Sequence, residues 1–301
     1  MSEVPNLSLD ALFSLAGKTV VVTGGGTGLG LMMSTAFVQN GAKVVYICSR
    51  KLKNLEAAAN TLNSIRSGVC IPLEANLTTA QGCKDLAAEI AKRESKLDVL
   101  VNNSGVSWGS PIDRVDEAKG WDRVFDVNTK SIFYLTVALL PLLRNNVSID
   151  RPASVINISS IYATLPFANM PTAPKGQGAW SYLASKAAAS HLTRSLANKL
   201  KAEHINVNAI APGFYPSNMT ATGQQGGALD RSHPAGRQGT PQDIAGPALL
   251  LAGRGGAHLS GIVLTTDGGM TLNHLGSLPK EVAELHLPET RKPASRNRAK
   301  L

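Results

Sequence analysis

Lys18-Thr19-Val20-Val21-Val22-Thr23-Gly24-Gly25-Gly26-Thr27-Gly28-Leu29-Gly30 is the stretch on which the fold turns. Its first six residues form a short, β-branched, apolar run, the signature of a strand buried on both faces. The run passes into a glycine-rich turn and then a helical pattern that continues to about Asn40, where Gly41 ends it. Strand, glycine-rich turn and helix together make a cradle for a dinucleotide. Glycines let the backbone approach a pyrophosphate, and the helix N-terminus offers free N–H groups and a positive dipole end. A glycine run can also be an ordinary tight turn; the order Thr-Gly-x-x-x-Gly-x-Gly favours the cradle.

Outward from this unit, strand-like and helical stretches alternate. Strands are expected at 18–23, 43–48, 69–73, 97–102, 153–159, 205–211 and 261–264, and helices at 28–40, 52–64, 79–93, 117–144, 179–202 and 241–253. Such alternation predicts an α/β fold: right-handed crossovers and a doubly wound, mainly parallel, seven-stranded sheet with helices on both faces. Ligands of such sheets bind outside the carboxyl ends of the strands. Those ends hold Thr23, Ser49, Asn76, Asn102, Ser159-Ser160 and Pro212. There is no repeat of solenoid type, and the six histidines are scattered, without metal-ligand spacing, so no metal is expected.

A chain of 301 residues can form one α/β unit, and no Ser- or Gly-rich linker divides it. We read 1–16 as an N-terminal extension, 17–270 as a single catalytic domain and 271–301 as a flexible basic tail. The hydrophobic fraction of 43% and charged fraction of 17% suit a soluble protein with a large core. No apolar run reaches the ~18 residues needed to span a bilayer, and Glu3 and Asp10 argue against a secretory signal. Cys48, Cys70 and Cys83 read as free thiols of a reducing compartment. Five charges of the net +9 lie in the last eleven residues: Arg291, Lys292, Arg296, Arg298 and Lys300, with no acid among them, leave only +4 for the rest. Nucleic acid is therefore not an expected partner.

Chemistry is concentrated in Ser181-Tyr182-Leu183-Ala184-Ser185-Lys186. On a helix, the four-residue step from Tyr182 to Lys186 places phenol and ammonium on one face. A cation beside a phenol favours the phenolate and lowers its pKa from about 10, so the pair could exchange a proton with an alcohol or carbonyl near neutral pH. Upstream, Ser159 and Ser160 end a strand, and alternation turns only one of them toward the site. Asn128 lies within a long apolar helical pattern, where its propensity is poor.

Thr23-Gly24-x-x-x-Gly28-x-Gly30, Asn102-Asn103-Ser104-Gly105, Asn128, Ser160, Tyr182-x-x-x-Lys186 and Pro212-Gly213 occur in the order of the short-chain dehydrogenase/reductase family. From about Gly17 to Met270 the chain resembles its classical branch. The resemblance implies a single-domain Rossmann fold and an NAD(P)(H)-dependent oxidoreductase. It further implies Ser160 as the serine that polarises a substrate carbonyl, with Ser159 as the fallback, and Tyr182 as the proton donor. Lys186 would hydrogen-bond the nicotinamide ribose, and Asn128 would stabilise a helix distortion and hold a water linked to Lys186. Cofactor contacts are implied for Thr23, Gly24, Gly28, Leu29, Gly30, Ser49, Arg50, Asn76, Asn102, Gly105, Tyr182, Lys186, Pro212 and Gly213. An acid at the end of the second strand would select NAD; here Arg50 can instead pair with a 2′-phosphate, and the expected cofactor is NADP(H). At Asn76 the family usually has Asp, and at Ser104 it usually has Ala.

The expected reaction is reduction of a carbonyl of a hydrophobic small molecule, or its reverse. The alternatives are reduction of an enoyl or dienoyl thioester and a non-catalytic cofactor-binding scaffold. Thr164 to Trp180 is longer than the family spacing, and its Pro166–Pro171 piece is expected in the pocket wall. Gln224 to Ala228 suggests a lid. Helices 117–144 and 179–202 carry apolar residues on more than one face (Ile132, Phe133, Leu135, Leu192, Leu196), so a homodimer or homotetramer is expected. The ending Ala299-Lys300-Leu301 is similar to a peroxisomal Ser-Lys-Leu address; with it the expected location is peroxisomal, with an import receptor as partner, and otherwise cytoplasmic.

Overall fold

Seven parallel strands build one sheet: β1 Thr19–Thr23, β2 Val44–Ser49, β3 Cys70–Glu74, β4 Val99–Asn102, β5 Ala153–Ile158, β6 Ile205–Pro212 and β7 Val263–Thr266. Their order is β3-β2-β1-β4-β5-β6-β7, so the winding reverses between β1 and β4, the position at which ligands enter such sheets. The computed structural model describes residues 4–169, 176–217, 219–220 and 233–272.

Period-two alternation divides the strands' side chains between two cores. Val21, Val44, Tyr46, Cys48, Leu100, Val155 and Val207 face one side. Val20, Val22, Val45, Ile47, Val99, Val101, Ile156 and Ile210 face the other. The first side is covered by α4 Ala80–Ala91, α5 Ser131–Leu143 and α6 Trp180–Leu200, and the second by α2 Gly28–Gln39, α3 Leu52–Ile65 and α7 Pro241–Ala252. With both faces covered, the strands are as apolar as the sequence reading requires.

The stretch 117–144, expected as one helix, is interrupted. Glu117–Asp122 and Asp126–Lys130 are π-helical turns around a short α-helical step, Arg123–Phe125, before α5 begins. Asn128 lies in the second π turn. Its amide is fully engaged: Oδ1 accepts from Val106 N at 2.8 Å, and Nδ2 donates to Val106 O at 2.9 Å and to Ser185 Oγ at 3.0 Å. One side chain thus ties the widened turn both to the segment after β4 and to α6. Such widening is a frequent feature of functional positions in helices.

Residues before Gly17 are seated on the fold. Helix α1 Leu9–Phe13 is capped by Ser8, whose Oγ accepts from Ala11 N at 3.2 Å. Leu15 is fully buried, its N–H donates to Asn40 O at 2.8 Å, and Ala16 bridges to Ala42. The three cysteines are free and buried. Burial pushes the Cys48 and Cys70 thiols up to about 12 and Cys83 to about 11, far from thiolate chemistry. Among the described residues, no helix is long and apolar enough to cross a membrane and no cluster has the makings of a metal site. The readings placed on Gln224–Ala228 and on the tail beyond Leu272 lie outside the described residues.

Candidate active site

The carboxyl ends of β1, β2, β3, β5 and β6, with the segment after β4, open onto one cleft of about 440 Å³. Gly24, Gly28, Leu29, Ser49, Arg50, Asn76, Gly105, Ser160, Tyr182, Lys186, Pro212 and Gly213, all singled out in the sequence, line it. The four remaining candidates stand behind the wall. Thr23 Oγ1 accepts from Asn103 N and Ser104 N, both at 2.9 Å, and so joins the end of β1 to the end of β4. Gly30 lets α2 approach the glycine turn, since a Cβ there would run into the Gly24 carbonyl and the Asn103 amide. Asn102 donates to Asn157 Oδ1 at 2.9 Å and to Thr136 Oγ1 at 3.3 Å, a buried tether between β4, β5 and α5 rather than a ligand contact. Asn128 clamps Val106 and Ser185 as described.

At the glycine turn, Gly24 (φ +64°) and Gly28 (φ +51°) occupy left-handed backbone that disfavours other residues. Thr27, the residue before α2, makes no side-chain capping bond, so the first N–H groups of this helix are not satisfied by it. Among the described residues the lining contains Arg50, Lys51 and Lys186 and no carboxylate. Arg50 is exposed at the end of β2. Asn76 Oδ1 accepts from Thr78 N at 3.3 Å and Thr78 Oγ1 at 2.9 Å, which leaves its Nδ2 as the donor for the cleft. This end of the cleft can hold an extended anionic ligand on backbone N–H groups and a guanidinium.

At the other end, α6 brings Tyr182 and Lys186 beneath the end of β5. The two serines there have separate roles in packing. Ser159 Oγ donates to Lys186 O at 3.1 Å and lies 2.6 Å from Ser190 Oγ, bound to α6. Ser160 Oγ accepts from Tyr162 N at 3.2 Å, keeping its own proton, and faces the Tyr182 phenol. Lys186 Nζ donates to Ile158 O at 2.7 Å, lies 5.7 Å from the centre of the Tyr182 ring, and is pushed down to about 8 by burial.

The expected lowering of the Tyr182 pKa by Lys186 is not found. Burial raises the phenol, and the Ser160 hydroxyl opposes that rise. The ammonium is engaged by a backbone carbonyl and sits against the ring, so desolvation is the larger effect on the phenol.

Among the described residues, nothing between 163 and 181 lines the cleft, so Pro166–Asn169 does not supply pocket wall; Met170 and Pro171 lie outside the described residues. Instead Ser110 and Gly178 form a β-bridge, and Trp180 Nε1 donates to Ser110 O at 3.0 Å, pinning the far end of that segment to the loop after β4. The sequence reading passed over Asn103, Ser185 and Tyr162. Asn103 Nδ2 donates to Thr23 O at 2.8 Å. Ser185 orders Asn128. Tyr162 shares the cleft with Tyr182; its only signal in sequence is its place two residues after Ser160.

A parallel sheet of this order with these residues at its carboxyl edge is the architecture of a nucleotide-dependent oxidoreductase. The family profile described as short chain dehydrogenase matches residues 18–226. The chain belongs to the short-chain dehydrogenase/reductase family, oxidoreductases that interconvert CH–OH and C=O groups with NAD(P)(H). It is similar to the rhamnolipids biosynthesis 3-oxoacyl-[acyl-carrier-protein] reductase of Pseudomonas aeruginosa, 40% identical over 265 residues that cover 86% of this chain and 98% of that protein. It is 35% identical to the short-chain dehydrogenase/reductase PhomF of Diaporthe leptostromiformis, over 89% of this chain and 96% of that one. Among solved structures, the Pseudomonas aeruginosa RhlG/NADP active-site complex superposes with a TM-score of 0.79 at 39% identity, covering 87% of this chain and 99% of that one.

Proposed function

We propose that this chain is an NADPH-dependent carbonyl reductase acting on a hydrophobic small molecule, or the corresponding alcohol dehydrogenase in reverse. The observation that carries this reading is the convergence of Ser160, Tyr182 and Lys186 at one end of a cleft that has Arg50 and, among the described residues, no carboxylate at the other. The residues fit an NADP(H) molecule. The glycine cradle has no room for side chains at Gly30, α2 begins at the cradle, and Arg50 lines the cleft, where its guanidinium would pair with a 2′-phosphate. The similarity to a structure titled as an NADP complex supports the same cofactor.

The bound cofactor would supply hydride to the carbonyl carbon. Ser160, whose hydroxyl faces the Tyr182 phenol, would turn its proton to the carbonyl oxygen and stabilise the charge that develops there. Tyr182 delivers its phenolic proton to that oxygen. Lys186 holds a positive charge beside the phenol and would hydrogen-bond the ribose of the cofactor, while Asn128 keeps the π turn and α6 in register. Apolar groups around Tyr182 (Ile161, Phe214, Met270) exclude water and match an apolar substrate. The complete serine–tyrosine–lysine set favours carbonyl over enoyl-thioester reduction, and the name of the Pseudomonas relative points to 3-oxoacyl thioesters as the first compounds to try. Consumption of NADPH against simple ketones, 3-oxoacyl and enoyl thioesters tests the reading. Turnover of enoyl thioesters alone would replace it.

Two further parts of the reading concern assembly and address. Phe133, Tyr134 and Val137 of α5 are 41–42% exposed, a run of apolar surface that suits a homodimer or homotetramer; Ile132, Leu135 and Leu196 are spent on the core. Light scattering would reveal a monomer if this is wrong. Ala299-Lys300-Leu301 is proposed as a peroxisomal address, and its deletion from an N-terminally tagged protein should turn a punctate distribution diffuse.

A further inference from the structure

We propose that Tyr162 determines substrate specificity. Its phenol would receive a second polar group of the substrate, so that the site favours a carbonyl compound with another hydrogen-bond acceptor a few bonds from the reacting carbon. The inference rests on the carbonyl-reductase reading above and names a feature of the substrate that this reading leaves open.

The position of Tyr162 follows from that of Ser160. Ser160 caps the 3₁₀ turn Ile161–Ala163 by accepting from Tyr162 N at 3.2 Å, so the turn that presents the serine also presents the tyrosine. Its ring meets Phe214 edge to face, with centroids 6.3 Å apart and planes at 75°. Phe214 follows Pro212-Gly213 at the end of β6, so the ring is braced from the opposite side of the cleft. Ile161, Ala179, Tyr182, Phe214 and Met270 complete the apolar cluster around it.

Packing alone would be served by a phenylalanine. Tyr162 is only 4% exposed and lines the cleft, yet its hydroxyl has no hydrogen-bond partner among the described residues. Buried hydroxyls in native proteins are nearly always paired, with protein, water or ligand. This hydroxyl is not among the sealed, unpartnered buried atoms, and Tyr162 lines the cleft. Burial and the neighbouring Tyr182 push its pKa up, so it remains a proton-bearing donor. A donor fixed in an apolar wall discriminates strongly, because a ligand lacking the matching acceptor leaves it unpaired. The compounds that satisfy it are those with a second oxygen near the reacting carbonyl, such as 3-oxo esters and thioesters, rather than isolated ketones.

The test compares a 3-oxo ester with a monoketone of the same chain length, using the full chain and NADPH. Wild type should prefer the 3-oxo ester in kcat/KM by ~10-fold or more. Tyr162→Phe should abolish that preference through a higher KM for the 3-oxo ester, bringing its kcat/KM down to that of the monoketone. A wild type without preference overturns the proposal, and this readout needs no variant to fold. A Tyr162→Phe enzyme that keeps the preference, or loses both substrates alike, also overturns it. If neither compound is turned over, the carbonyl-reductase reading falls. Calorimetric titration of both compounds into the NADPH complexes then decides Tyr162 separately: selective loss of 3-oxo ester binding in the variant supports it, and equal binding refutes it.

Discussion

Lys186 Nζ donates to the Ile158 carbonyl at 2.7 Å, which fixes the ammonium at the carboxyl end of β5, two residues before Ser160. The cation is held by the sheet itself and is largely buried from water. Burial brings its pKa from 10.5 to about 8. A lysine with a lower pKa in the folded than in the unfolded chain binds fewer protons when folded between those two values. Its penalty is in full force below about 8 and is relieved as pH rises toward about 10.5. Lys186→Met should therefore show its greatest stability relative to wild type near neutral pH and lose that advantage at high pH. Urea unfolding of both proteins across this range measures the difference; a difference independent of pH would show that the amine is not desolvated.

Tyr182→Phe removes the proposed proton donor and leaves the ring against Lys186. Turnover should fall by ~10² or more while NADPH binding is kept. Fluorescence titration of the cofactor and single-turnover kinetics separate the two effects. Wild-type turnover in the folded variant would reassign the proton.

The adjacent serines make a paired prediction. Ser160→Ala should lower kcat by ~10² with little loss of stability, because the partners it removes are the Tyr162 N–H and the Tyr182 phenol at the edge of the cleft. Ser159→Ala should do the reverse. It strands the Ser190 hydroxyl and a bond to the Lys186 carbonyl, for a destabilisation of about 1–3 kcal/mol, with chemistry largely retained. Exchange of these two phenotypes would mean that Ser159 is the serine in the reaction.

Cofactor choice is read at Arg50. Arg50→Ala should weaken NADPH by roughly 1.5–3 kcal/mol, the value of a charged hydrogen bond, and leave NADH nearly unaffected. Equal dissociation constants for the two cofactors in wild type would make Arg50 an ordinary surface arginine.

Asn128→Ala tests the π turn. The variant leaves Val106 N–H and C=O and the Ser185 hydroxyl without their shared partner, so a loss of ~2 kcal/mol or more is expected. The same change should loosen α6 and reduce kcat beyond the effect on stability; calorimetry with kinetics on the folded fraction reads both.

Much of this molecule is written in local pattern. The β-branched run 18–23 and the glycines after it specify a strand, a tight turn and a helix, because backbone sterics and side-chain alternation act over a few residues. The seven strands fall within two residues of the segments expected from such patterns, and most of the motif residues reach the cleft. The break of 117–144 into π turns was legible only through resemblance at Asn128, since an apolar helical period does not register one extra residue per turn. Tertiary structure alone decided that Asn102, Thr23 and Gly30 support the wall instead of forming it. It also decided that Lys186 binds a backbone carbonyl and that Tyr182 is raised rather than lowered. Periodicity tells which face of an element is buried, but a pKa depends on how completely distant segments exclude water from one atom. That exclusion is made where β5, α6 and the end of β6 meet, and no single stretch of the sequence contains it.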